Sequence, residues 1–157
     1  MGRRTLLAAI PVLALVACGF TPVYGPGGEA LSLRGAVIAA EPDTDITFAF
    51  VRQIEQRLGL PTQPSLGLSY TLATASTGLA IDESNNVTRF TVEGRLTWAL
   101  TPLGEEEPTL TGEEIAFTAY SGGESPLAAL ESERDALRRL AVLLADQVVA
   151  RLLAEAP

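Results

Sequence analysis

The chain has 157 residues, 11 basic and 19 acidic, with no histidine, one cysteine and a formal charge of −8. Without histidine, a Cys/His zinc site, a Ser-His pair and a Cys-His nucleophile are all excluded, and a single thiol excludes an intramolecular disulfide. Every basic residue is an arginine, and the acidic balance argues against nonspecific nucleic-acid binding, because a phosphate backbone would be repelled.

Arg3 and Arg4 open the chain, and Leu6 to Val16 then run apolar as far as the boundary Leu15-Val16-Ala17-Cys18. That run, about 12 residues with Thr5, is too short for a spanning helix of roughly 20, and Pro11 interrupts it. A positive start, a short apolar run and a small residue at the boundary describe a secretory signal peptide. The boundary is similar to the bacterial lipobox, in which the thiol accepts a diacylglyceryl group and cleavage makes the cysteine the first residue. The spacing, the flanks and the uniqueness of Cys18 agree on lipidation. The competing readings are a signal peptide that happens to end near a cysteine, and a buried core cysteine. The Arg3-Arg4 pair also raises twin-arginine export, for which Gly2 to Leu7 is a poor match. The expected organisation is a signal peptide over 1–17, a lipidated N-terminus and Pro/Gly linker over 18–30, and one domain over 31–157. The mature chain would carry nine arginines against 19 acids, a formal charge of −10. Acyl chains at about 0.8 kcal/mol per buried methylene would tether it to a membrane.

Leu31 to Ala39, with Leu31, Leu33, Val37 and Ile38 apolar, predicts a strand. The acidic and capping residues Asp43, Thr44 and Asp45 then precede Phe50, Val51, Ile54 and Leu58, whose spacing predicts a helix over 46–58. Leu66, Leu68, Tyr70 and Leu72 alternate as a half-buried strand, and Leu79 and Ile81 extend it past an expected bulge at Ser76 to Gly78. After a polar turn, Thr88 to Leu100 sets Phe90, Val92, Leu96, Trp98 and Leu100 on one face, with Arg89, Thr91, Glu93, Arg95 and Thr97 on the other. Leu110 to Tyr120 predicts a fourth strand centred on Ile115 and Phe117. Ser125 and Pro126 start a closing helix of some 28 residues, with a stripe at Leu127, Leu130, Leu137, Leu140, Leu144, Val148 and Leu152. The fold class expected is α+β, order β-α-β-β-β-α, with two helices packed on one face of a four-stranded, largely antiparallel sheet.

Catalytic apparatus is not evident: no nucleophile-base pair, no phosphate-cradling glycine motif and no metal-ligand cluster occurs, so neither metal nor cofactor is expected. Glu113 and Glu114 are neighbours in a strand and point to opposite faces, which leaves one of them solvated.

The two ends carry a resemblance. The segment Ala17 to Gly25, with cysteine, glycine, an aromatic and then Tyr24-Gly25, is similar to the mature start of the LPS-assembly lipoprotein LptE family in its alphaproteobacterial form. Ser125 to Ala154 resembles that family's C-terminal helix, including Glu133 to Ala136 and Leu144-Ala145-Asp146. The resemblance implies a non-catalytic, lipid-anchored outer-membrane component of the lipopolysaccharide translocon. Such a protein sits on the periplasmic side or in the lumen of the LptD β-barrel, helps it assemble and binds lipopolysaccharide. Readings of another class are an auxiliary periplasmic lipoprotein of an ABC-type lipid transporter and a structural envelope lipoprotein. If phosphates are bound, arginines must do it, and Arg89 and Arg95 share the face of their strand opposite the expected core, with Arg34 a third candidate. The other reading of these arginines is pairing with Glu93 and its neighbours on a solvated face. Asn85 and Asn86, at the tip of the 82–88 hairpin, are the expected partner contacts.

Overall fold

The computed structural model describes residues 32–81, 87–122 and 125–155. Cys18, the signal peptide, the linker, Asn85 and Asn86 lie outside them. The order is β1 (Val37–Ala39), α1 (Asp45–Leu58), β2 (Leu66–Ile81), β3 (Val87–Pro102), β4 (Leu110–Ser121) and α2 (Pro126–Glu155). The four strands form one sheet in the order β1-β2-β3-β4, with β1 parallel to β2 and the other pairs antiparallel. Two helices and a mixed sheet in this order make an α+β fold, as the patterning predicts.

Local chemistry explains the helix starts. Thr44 caps α1 in a reciprocal box with Thr47, and Asp43 accepts a further bond from the Thr47 hydroxyl. At α2, the Ser125 hydroxyl accepts from the Ala128 N–H at 3.3 Å, with Pro126 in the first turn, where no N–H is missed.

The core lies between the helices and one face of the sheet. Leu68, Val92, Leu96, Trp98 and Leu100 from the strands meet Phe50, Ile54 and Leu58 of α1 and Leu140, Leu144, Val148 and Leu152 of α2, all buried. The rings of Phe50 and Tyr70 stand 4.8 Å apart and join α1 to β2. Burial raises the Tyr70 hydroxyl above its ordinary range, with the Asp43 charge adding to it.

Three expectations are corrected, and β4 adds a finding of its own. The first strand is three residues, not nine, because Ser32 and Leu33 are helical and Arg34 to Ala36 turn: Gly35 has φ +71° and donates its N–H to the Leu58 carbonyl, which ties the turn to the end of α1. The β2–β3 ladder runs regularly through Ser76 and Thr77, and its irregularity falls between Gly78 and Ile81. In β4 the two residues at the centre of the expected strand face away from the helices. Ala116 and Thr118 are buried, whereas Ile115 and Phe117 are 38 % and 59 % exposed on the open face. The reason is that Gly112 receives the Trp98 indole, at 2.6 Å from where a Cβ would stand, and Glu114 is held inward at 3.2 Å by Arg151 of α2. Finally, Leu127 and Leu130 are exposed, so the buried stripe of α2 begins only at Ala136. A 30-residue helix is about 45 Å long, and its first turns bury none of their residues.

Asp146 clasps the two helices. Its carboxylate accepts from Arg57 Nε and Gln53 Nε2 of α1, each at 2.8 Å, and the Arg57 bond holds its pKa below the ordinary value. A lowered folded-state pKa stabilises the fold above the unfolded-state value of about 3.9, and that contribution is lost as pH falls through the folded value. Asp146→Asn is therefore expected to cost about 1 kcal/mol or less at pH 7, since the pair is partly solvated, and to flatten the loss of stability below about pH 4. Urea denaturation of both forms at pH 7 and pH 3 checks it. An equal difference at both pH values would contradict the role of the ionised carboxylate.

Candidate functional site

Among the described residues nothing covers the sheet face away from the helices. Ser69, Thr71, Ala73 and Ala75 of β2 lie beside Glu93, Arg95 and Thr97 of β3, and then Glu113, Ile115 and Phe117 of β4, by register and alternation. Arg95 is occupied on this face. Its guanidinium pairs with Glu113 across the strand and lies 3.7 Å from Glu93. Arg34 lies elsewhere, in the turn before β1 with its side chain near Gly59, beyond the end of α1. The structure thus does not gather Arg34, Arg89 and Arg95 into one cluster.

It gathers other arginines instead. An open groove of about 500 Å³ runs along the β4 edge, lined by Arg52 of α1, Phe117 and Thr118 of β4, and Arg138, Arg139 and Leu143 of α2. Volumes of about 300–1,000 Å³ are usual for small-ligand sites. Arg139 also lines a neighbouring cavity with Arg89, Tyr120, Glu131 and Asp135. Arg89, Arg139, Arg138 and Arg52 therefore form a basic strip beside exposed Phe117 and Leu143. Asp135 partly balances it, at 2.8 Å from Arg139 and 3.8 Å from Arg138. Among the described residues no ion pair engages Arg52 or Arg89. Guanidinium groups next to solvent-exposed apolar side chains suit a ligand with both anionic oxygens and a hydrocarbon portion. The Arg138-Arg139 doublet was visible in the sequence, but the approach of Arg52 and Phe117 depends on α1, α2 and the β4 edge meeting in space.

Nothing in this arrangement performs covalent chemistry. Among the described residues no group of three His, Cys, Asp or Glu side chains is placed to hold a metal, and no helix is long and apolar enough to cross a membrane.

The fold has relatives among solved structures. A chain described as a lipoprotein from Caulobacter crescentus CB15 superposes with a TM-score of 0.67 at 16% identity, over 83% of this chain and 96% of that one. The rare lipoprotein B from Shewanella oneidensis gives 0.57 at 10% identity, over 76% and 92%. A minor lipoprotein from Acinetobacter baumannii gives 0.56 at 12%, over 76% and 89%. At these identities the likeness establishes the fold. No curated protein matches the sequence. The family model LptE, lipopolysaccharide-assembly, matches residues 34–152, which is most of the chain. The protein accordingly belongs to the LptE family, whose members are non-enzymatic lipoproteins with a role in lipopolysaccharide assembly.

Proposed function

We propose that the protein is anchored in the outer membrane by lipid on Cys18, partners an LptD-like β-barrel in the lipopolysaccharide translocon, and binds lipopolysaccharide itself. Membership of the LptE family carries this reading. The open sheet face, where small and polar side chains lie beside exposed Ile115 and Phe117, supports a domain that seats against a larger protein. The basic strip supports contact with a phosphorylated, acylated ligand: phosphate oxygens go to Arg52, Arg138 and Arg89, and hydrocarbon lies on Phe117 and Leu143. Arg95 and Arg34 are left out of the set, the first because Glu93 and Glu113 already hold it, the second because it is remote.

The test is lipopolysaccharide binding by the full-length chain and by Arg52→Gln/Arg138→Gln at low and moderate salt. Two charge-assisted bonds at a half-exposed site predict a loss of about tenfold in affinity and a weaker salt dependence. Binding that is unchanged at both ionic strengths, with the fold intact, would contradict the ligand site. Absence of binding by the wild type would contradict lipopolysaccharide recognition altogether.

A further inference from the structure

The two long edges of the sheet are treated differently. At the β4 edge, Arg139 Nη2 donates to the Ala119 carbonyl at 3.1 Å and Gln147 Nε2 to the Ile115 carbonyl at 3.4 Å. Side chains of α2 thus occupy two of the outward carbonyls and hinder another strand from adding there. Among the described residues the other edge has no such cover. β1 pairs with β2 only from Leu66 to Leu68, so β2 is itself an edge strand from Ser69 onward.

The direction of its free peptide groups follows from the pairing. Leu66 donates its N–H to the Ala36 carbonyl, and Ala40 donates to the Leu68 carbonyl, which puts the even-numbered residues' backbone groups on the β1 side. Alternation continues this through Tyr70, Leu72, Thr74 and Ser76, ahead of the irregularity at Gly78. Among the described residues, no backbone hydrogen bond outside the sheet ladder reaches those four. Ala73 to Ala80 are exposed whichever face they point to, because neither helix covers this half of the strand. From Ser69 to Ile81 there is no charge and no proline, so the usual devices that blunt an edge are missing over 13 residues.

We propose that the free edge of β2, from Tyr70 to Ser76, receives an extended, uncharged segment of the partner polypeptide as an additional strand. The inference rests on the reading of this protein as a partner of a larger envelope protein. Only another extended backbone complements a row of alternating N–H and C=O groups. The neighbouring side chains, Ala73, Thr74, Ala75 and Ser76, are small on both faces, which leaves room for larger apolar side chains on the incoming strand. A second copy is disfavoured by the formal charge of −8 that each chain carries. The chain's own segment before Ser32 is a poor strand, with Pro22, Pro26 and Gly25, Gly27 and Gly28. Because the partner's barrel would be a closed sheet without edges, the incoming segment belongs to a loop or terminal extension of it.

The test uses the full-length chain in its own cells, with a photo-crosslinking amino acid at Ala73, Ala75 or Thr77, and a parallel pull-down of Thr74→Pro. The Thr74 N–H points away from β3, so proline there removes an edge donor without breaking the β2–β3 ladder. Thr74→Lys is the second variant, since a charge blocks edge pairing without touching the backbone. The expected result is crosslinks to one short stretch of the copurifying barrel protein, and at least about a fivefold drop in its recovery with both variants at unchanged melting temperature. Crosslinks to a second copy, to residues before Ser32 or to lipid alone would overturn the proposal. So would undiminished recovery with a folded Thr74→Lys. If the wild type recovers no barrel protein at all, the proposed function fails with it; if it does and the variants match it, only the edge assignment fails.

Discussion

Leu144→Ala is expected to destabilise the domain by about 3 kcal/mol and Gly94→Val by about 2 kcal/mol, while the double variant costs less than the two together. Leu144 and Leu140 are fully buried where α2 crosses β3. Truncating such a leucine forfeits its transfer free energy and leaves a cavity, which costs about 2–5 kcal/mol. Gly94 is what lets the helix lie so close. A Cβ there would stand 2.8 Å from Leu140 Cδ2 and 3.0 Å from Leu144 Cδ1, and neither leucine has open space to retreat into. Overpacking of that kind costs about 1–3 kcal/mol. In the double variant the valine enters space that Leu144 has vacated, so the terms couple. Urea unfolding of the four forms checks this. Strictly additive costs, within about 0.3 kcal/mol, would mean that the two positions do not share the space the structure gives them.

On the proposed anchor, Cys18→Ser is expected to block lipid transfer and normal processing of the precursor. A hydroxyl is a far weaker nucleophile than a thiol and does not accept the diacylglyceryl group, so the precursor remains unprocessed or is cut elsewhere. Acyl chains supply about 0.8 kcal/mol for each buried methylene, and no helix among the described residues replaces them as an anchor. Labelled palmitate and envelope fractionation measure the effect. Palmitate in the serine variant would contradict the assignment of the anchor.

How much was legible in the sequence varies by element. β3 was readable because its alternation from Val92 to Leu100 is set by one buried face, and α1 because its cap and its spacing agree. β4 was legible as a strand, but which of its faces turns inward was not, for a physical reason. Its largest apolar residues, Ile115 and Phe117, face away from the helices, and its inward face is made of Gly112, Glu114, Ala116 and Thr118, which carry little hydrophobic signal. That inward face works because Trp98 fills the space over Gly112 and Arg151 pairs with Glu114, both long-range contacts. α2 was read too long as a core helix, since leucine spacing alone does not say where the sheet beneath it ends. The same limit applies to the site. Arg89 was singled out from the sequence and lines a cavity with Arg139, but Arg52 and Arg138 join that strip only through the packing of the two helices. Conversely, Asp146, part of the stretch that resembles the family's helix, serves as a clasp between α1 and α2.

The most direct measurement is affinity purification of the full-length chain from the envelope of its own cells, with the bound polypeptides identified by mass spectrometry and lipopolysaccharide quantified in the same eluate. The predicted result is a large outer-membrane β-barrel protein in near-equimolar amount, together with lipopolysaccharide. Recovery of ATPase and permease subunits instead, or of the chain with neither barrel nor lipopolysaccharide, would contradict it.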